Sequence, residues 1–182
     1  QTPDYILVSV GDGCTIGSIY NGLLDWKQVG WISKMPKIIG VQAKGCAPFY
    51  EAFKSQQPLK ETDENTIADS ISVGIPRNPV KGMRAVNSSG GMYVDVSDEE
   101  IIDAMMYLGS KEGVFAEPAS AASVAGLIKL VNKGIIKKSD KVVVINTGNG
   151  LKDPKAMIEK AQRITLFNED DDLNKIKQKV AK

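Results

Sequence analysis

Five short apolar runs of strand length alternate with segments whose apolar residues recur at helical spacing, and this alternation is the tightest constraint on how the chain can fold. The runs are Tyr5–Val10, Lys37–Gln42, a weak one at Ile71–Val73, Met92–Val96 and Val142–Asn146. Between them, Ser18–Val29 carries Ile19, Leu23, Leu24 and Trp26 at helical spacing, Pro48–Lys54 begins a second helix, and Val80–Val86 forms a short one after Pro79. Ser97 with Glu100 three residues on has the form of a capping box and predicts a helix from Asp98 to about Lys111. Pro118 opens another helix, in which Ala119, Ala121, Ala122, Ala125 and Gly126 permit close packing on a sheet. Asp153-Pro154 has the N-cap and N1 preference of one more. Strand, helix, strand in this order predicts an α/β fold, a mostly parallel sheet flanked by helices on both faces. Residues 1–165 read as this α/β domain, and 166–182 as a charged C-terminal helix or tail.

With 182 residues, 42% of them hydrophobic, the chain can bury a core of its own. It contains no histidine, which removes Ser-His-Asp and Cys-His catalysis, imidazole metal sites and the usual base near neutral pH. A net charge of +1 with mixed signs gives no electrostatic case for nucleic acid or an anionic membrane. The longest apolar stretches, as at Val142–Ile145, fall far short of the ~20 residues that span a bilayer, and Gln1–Asp4 has no signal-peptide character. Cys14 and Cys46 read as small buried residues in a reducing compartment, so the expectation is a cytoplasmic protein without a metal site.

In parallel α/β sheets ligands bind at the carboxyl ends of the strands. Two loops there are glycine-rich, Gly11–Gly17 and Thr147–Lys152. In Val10-Gly-Asp-Gly-Cys-Thr-Ile-Gly17 a strand feeds a loop whose backbone N–H groups can converge, followed by the positive end of a helix; phosphate is the natural occupant. The ATP-type P-loop is excluded because no Gly-Lys-Ser/Thr follows at the required offset. The dinucleotide fingerprint fails as well: Gly17 falls one residue late, and Gln42 and Lys44 stand where a ribose-binding carboxylate belongs.

Three segments together, Pro3-Asp-Tyr-Ile-Leu-Val-Ser-Val-Gly-Asp-Gly13, Gly113-Val-Phe-Ala-Glu-Pro-Ala-Ser-Ala-Ala-Ser123 and Thr147-Gly-Asn-Gly-Leu-Lys-Asp-Pro154, resemble the threonine synthase family. These are pyridoxal phosphate enzymes of the tryptophan synthase β-subunit fold, fold type II, and the resemblance runs from Pro3 to about Ala161. It implies that the chain is the larger, cofactor-phosphate-binding part of such an enzyme. Gly11, Asp12, Gly13, Cys14 and Thr15 then match the cofactor-phosphate loop, binding through main-chain amides and the Thr15 hydroxyl. Thr147 matches the residue whose hydroxyl meets the pyridine nitrogen, Gly74 a segment that flanks the ring, and Glu117 a position near the same pocket. Taken alone, Thr147 reads rather as a helix cap or ST-turn, and Glu117 equally as a carboxylate complementing a helix dipole.

The departures bear on function. The family's Schiff-base lysine lies well upstream of the phosphate loop, so the resemblance implies no catalytic residue in this chain, and the same holds for the Ser-Gly-Asn type loop that binds the substrate carboxylate. Lys152 alone among the lysines lies beside a proposed cofactor loop, with a structural or rim role. Ile67–Arg77 differs from the Ile-Gly-Asn-Pro pattern of threonine synthases. The implied activity is conversion of O-phosphohomoserine and water to threonine and phosphate, with a small amino-acid substrate and a homo-oligomer for the intact enzyme. The other readings are a serine or threonine dehydratase, a cysteine synthase-like enzyme, a non-catalytic phosphate-binding module or a nucleotide-binding domain.

Overall fold

Tyr-Ile-Leu-Val-Ser is apolar on both faces of an extended chain, a pattern that only a strand covered from both sides can satisfy. In the computed structural model, which describes residues 1–160 and 172–180, this segment is the strand β1 (Tyr5–Ser9). It pairs in parallel with β2 (Lys37–Ala43) on one side and β4 (Val142–Ile145) on the other, and β3 (Met92–Val96) extends the sheet beyond β2. The order is β3-β2-β1-β4, parallel throughout the described residues.

Six helices follow from the same periodicities: α1 (Cys14–Gln28), α2 (Pro48–Ser55), α3 (Pro79–Ser89), α4 (Asp98–Tyr107), α5 (Pro118–Asn132) and α6 (Lys155–Lys160). Alternation along the strands divides the core into two layers. Ile6, Val8, Ile38 and Tyr93 face α1, α2 and α3 through Ile16, Tyr20, Phe49 and Val86. Leu7, Ile39, Val41 and Val94 face α4 and α5 through Ile101, Met105, Ala122 and Leu130. The small residues of α5 allow its close approach: a Cβ on Gly126 would stand 2.6 Å from a Val41 methyl. No described helix is long and apolar enough to cross a membrane.

Several boundaries differ from expectation for identifiable reasons. Helix α1 starts at Cys14, four residues before Ser18, because left-handed Gly13 (φ 83°) turns the chain into the helix without a capping side chain. Its buried face is Ile16, Gly17, Tyr20 and Leu23, while Trp26 is half exposed. Ile71–Val73 is not a strand; Asp69–Ile71 is a 3₁₀ turn, as befits a three-residue apolar run preceded by Asp and Ser, whose side chains favour local turns over a ladder. The capping box of α4 is present, with the Glu100 N–H donating to Ser97 Oγ (3.2 Å) and the Ser97 N–H to Glu100 Oε2 (2.7 Å). A π-helical turn, Leu108–Glu112, completes that segment, and Pro154 stands directly ahead of α6. In the charged C-terminal stretch, α7 spans Leu173–Val180; the proposed boundary at 165/166 lies outside the described residues.

Candidate functional site

The chain moves from β1 through β2 to β3 in one direction with α1–α3 on one face, then crosses to the other face for α4 and α5 and returns as β4 on the far side of β1. The connections that leave the carboxyl ends of β1 and β4 therefore diverge, and the crevice this opens is where such sheets bind ligands. A cavity of about 340 Å³ lies there, lined by Ser9–Ile16, Ser70, Ile71, Glu117, Ala119, Thr147 and Lys152. Seven of the eight residues singled out from sequence border it: Gly11, Asp12, Gly13, Cys14, Thr15, Glu117 and Thr147. Gly74 instead lines an adjoining cavity of about 480 Å³ with Glu61, Glu64 and Arg77, and Asp12 borders both.

The wall on the β1 side is made of backbone. A Cβ on Gly11 would meet a Val73 methyl at 3.0 Å, and one on Gly13 would lie 2.8 Å from both the Asn78 carbonyl oxygen and the Phe49 ring. The first N–H groups of α1 have no acceptor within the helix. Its first turn contains no acidic residue, so that end is positive and suited to an anion. Asp12 does not spoil this, because its carboxylate is engaged elsewhere: Oδ1 accepts the Arg77 N–H at 3.0 Å and lies 4.0 Å from the Arg77 guanidinium. The Asp12 carbonyl accepts the Asn78 N–H at 2.9 Å, and the Asn78 side-chain amide donates to Cys14 Sγ, also at 2.9 Å. Both thiols are free, but they differ in place: Cys46 is buried, as expected, whereas Cys14 is exposed at the cavity. Burial is the main cause that pushes the Cys46 thiol above its ordinary pKa.

The wall on the β4 side is made of side chains. Ser120, wholly buried in the first turn of α5, accepts the Thr147 N–H at 2.8 Å and donates to Asn146 Oδ1 at 3.3 Å. Ser123 adds bonds to the carbonyls of Ser120 and Ile145. Glu117 does not cap α5 with its side chain; its carboxylate, 6% exposed, pairs with Lys152 Nζ at 3.2 Å. Lys152 also donates to Ser70 Oγ at 2.6 Å, which fixes it at the rim. Gly148 is required by this arrangement, since a Cβ there would overlap the Glu117 carboxylate.

Sequence reasoning missed two contributors. Gln42, fully buried at the end of β2, donates to the Val10 carbonyl (3.1 Å) and accepts the N–H groups of Phe49 and Tyr50 (2.8 and 3.0 Å). It braces the strand end that enters the glycine loop and caps α2, so its amide is turned into the protein rather than toward a ribose. A polar residue inside Lys-Ile-Ile-Gly-Val-Gln-Ala was the available signal. Ser120 was the other, quoted within a motif but without a role. No group of three side chains suited to a metal ion occurs among the described residues.

A family model described as pyridoxal-phosphate dependent enzyme matches residues 1–148. Curated relatives include a threonine synthase of Methanocaldococcus jannaschii, 43% identical over 166 residues that make up 89% of this chain and 40% of that protein. A threonine synthase of Methanosarcina acetivorans is 42% identical over 92% of this chain and 42% of its own length. The chain thus spans about two fifths of the length of these relatives. Among solved structures, threonine deaminase isoform 2 of Solanum lycopersicum superposes with a TM-score of 0.69 at 20% identity, covering 90% of this chain and 45% of that one. An L-serine ammonia-lyase of Rhizomucor miehei superposes with a TM-score of 0.69 at 19% identity, covering 91% and 51%. At such identities these two likenesses concern the fold.

Proposed function

The chain belongs to the pyridoxal-phosphate dependent enzyme family, and from that premise we propose that it is the cofactor-phosphate-binding part of a threonine synthase, which turns O-phosphohomoserine and water into threonine and phosphate. The lysine that holds the cofactor belongs, in this reading, to another part of a longer protein; the share of its relatives that the chain spans supports this. The observation that carries the reading is the cavity at the switch point, where a left-handed glycine delivers the uncapped start of α1 to the carboxyl end of β1. Threonine synthase is preferred over other activities of this fold because curated relatives of that name reach 37–43% identity over most of this chain.

The residues present fit the cofactor. A phosphate dianion needs converging N–H donors and no competing carboxylate, and the α1 start, the glycines at 11 and 13 and the diverted Asp12 meet both needs. When bound, pyridoxal phosphate supplies an electron sink for the negative charge that develops beside the substrate amino group. The Gly11–Thr15 amides and the Thr15 hydroxyl would hold the phosphate. Thr147, whose backbone amide Ser120 fixes, would meet the ring nitrogen with its hydroxyl. A hydroxyl there, unlike a carboxylate, does not keep that nitrogen protonated. Glu117 and Lys152 close the β4 side through their ion pair.

The test is borohydride reduction of the chain with pyridoxal phosphate, followed by peptide mapping and an assay of threonine formation. The expected result is binding without a stoichiometric adduct at one defined lysine, and no threonine from this chain alone; the full-length protein makes threonine. A specific adduct at Lys152 together with turnover would overturn the division of labour. Failure of the full-length protein to consume O-phosphohomoserine would overturn the substrate.

A further inference from the structure

Among the described residues, two buried side-chain oxygens lack a hydrogen-bond partner, Ser9 Oγ and Tyr93 Oη. Burying a hydroxyl unpaired works against folding, so each asks for a reason. Tyr93 is clamped in the apolar layer, stacked on Phe49 with centroids 5.3 Å apart and edge-on to Phe53 at 6.0 Å. Its hydroxyl adjoins Gly82, and burial pushes the phenol well above its ordinary pKa. Ser9 differs because it borders the cavity between β1 and β4.

Its direction follows from the strand. Leu7, two residues earlier on the same face, packs in the α4–α5 layer, so alternation turns Ser9 toward α5, whose Ala119 lines the same cavity. The register pairs Val8 with Ile145, which carries Ser9 alongside the exit of β4 toward Thr147. The Ser9 side chain and the phosphate-holding start of α1 are therefore on opposite sides of the sheet plane. A serine needed only for the fold would be bonded within it, as Ser120 is to Asn146 and the Thr147 amide. Ser9 is 6% exposed, so it has little contact with bulk water.

We propose that Ser9 is a ligand-binding residue whose hydroxyl is kept unpaired in the ligand-free chain and pairs with a polar group on the ring of a bound phosphorylated pyridine, not with its phosphate. The proposal rests on the reading of the cavity as a pyridoxal phosphate site and assigns one more contact within it. It also predicts effects of opposite sign. Removing an unpaired buried hydroxyl relieves the ligand-free chain, while the same change weakens the complex.

The experiment compares wild type with Ser9→Ala, using thermal unfolding of the ligand-free chain and calorimetric titration with two probes. The probes are pyridoxine 5′-phosphate, which has no aldehyde to condense with lysines, and inorganic phosphate. The expected result for Ser9→Ala is a midpoint unchanged or raised by about 2 °C, pyridoxine phosphate affinity reduced roughly fivefold, and inorganic phosphate affinity unchanged. Unchanged pyridoxine phosphate affinity overturns the Ser9 assignment and leaves the site reading standing. Equal weakening of both probes overturns it too, because the hydroxyl would then act through the phosphate cradle. A lowered midpoint marks a structural hydroxyl and likewise overturns it. If wild type binds neither probe, the site reading falls and the Ser9 assignment with it.

Discussion

The two loops that frame the cavity leave neighbouring parallel strands at the same end of the sheet, yet one is walled by backbone and the other is braced by side chains as well. After β1, Gly11 and Gly13 let the main chain press against Val73, Phe49 and Asn78, and the uncapped helix start faces the cavity. After β4, the Ser120 hydroxyl holds the Thr147 amide, main-chain bonds tie Gly148 to Glu117 and Gly150 to Phe115, and the Glu117 carboxylate pairs with Lys152 of the loop. Under the proposed function the difference separates two tasks. A backbone cradle cannot adjust its donors and suits a phosphate, which is the same in every substrate complex. A side-chain wall can be tuned residue by residue and suits the part of the ligand where chemistry is controlled.

Gly13→Ala attacks the backbone loop and has the largest expected effect. The left-handed conformation costs an L-residue about 1–2 kcal/mol, and a Cβ 2.8 Å from a carbonyl oxygen and a ring adds about 1–3 more. Urea unfolding should show a loss of about 3 kcal/mol or greater, and calorimetry no remaining phosphate binding. An intact cradle in Gly13→Ala would break the distinction between the loops. Ser120→Ala tests the other wall: the Thr147 N–H and Asn146 lose their buried partner, for about 2 kcal/mol. Inorganic phosphate should still bind with wild-type affinity, and a parallel loss would show that the two walls do not divide the work. Lys152→Met leaves the Glu117 carboxylate buried and without its cation. Because water reaches Lys152, which is 61% exposed, the loss should be only about 1 kcal/mol, measured by urea unfolding.

The same division explains what the residues disclosed in advance. Glycine spacing is written in the sequence, and a glycine loop that leads into a helix start beside the cavity was legible there, down to Gly11–Thr15. The buttress behind Thr147 was not, since Ser120 approaches from 27 positions away and a serine in an alanine-rich helix looks like any other small residue. Helix α1 began four residues early because entry through left-handed Gly13 carries no start signal in a side chain. Trp26 fits the helical period, yet the buried stripe runs through Ile16, Tyr20 and Leu23 and leaves it half exposed. Gln42 is the instructive case: at the position where a nucleotide-binding protein would read a ribose, its amide is spent inside the protein on Val10, Phe49 and Tyr50.

The opposite end of β1 and β4 sharpens the comparison with the smallest expected effect. There Asp4 ties the strands together, accepting the Lys141 N–H at Oδ2 (3.0 Å) and the Lys34 ammonium at Oδ1 (2.9 Å). The Lys141 amide first, and then Lys34, hold its carboxyl below the ordinary value of 3.8. A folded-state pKa below the unfolded one means stability that is present above 3.8 and lost as pH falls through the folded value. Asp4→Asn should therefore be less stable than wild type near neutral pH, with the gap closing well below pH 3.8, measured by urea unfolding across that range. Its affinity for phosphate and for pyridoxine phosphate should match wild type, because Asp4 lies at the amino ends of the strands and the cavity at their carboxyl ends. A gap that persists in acid would remove the carboxylate as its cause. A change in ligand affinity would show that strain at one end of β1 is transmitted along the strand to Gly11, and the two loops could then no longer be treated as independent of the sheet that carries them.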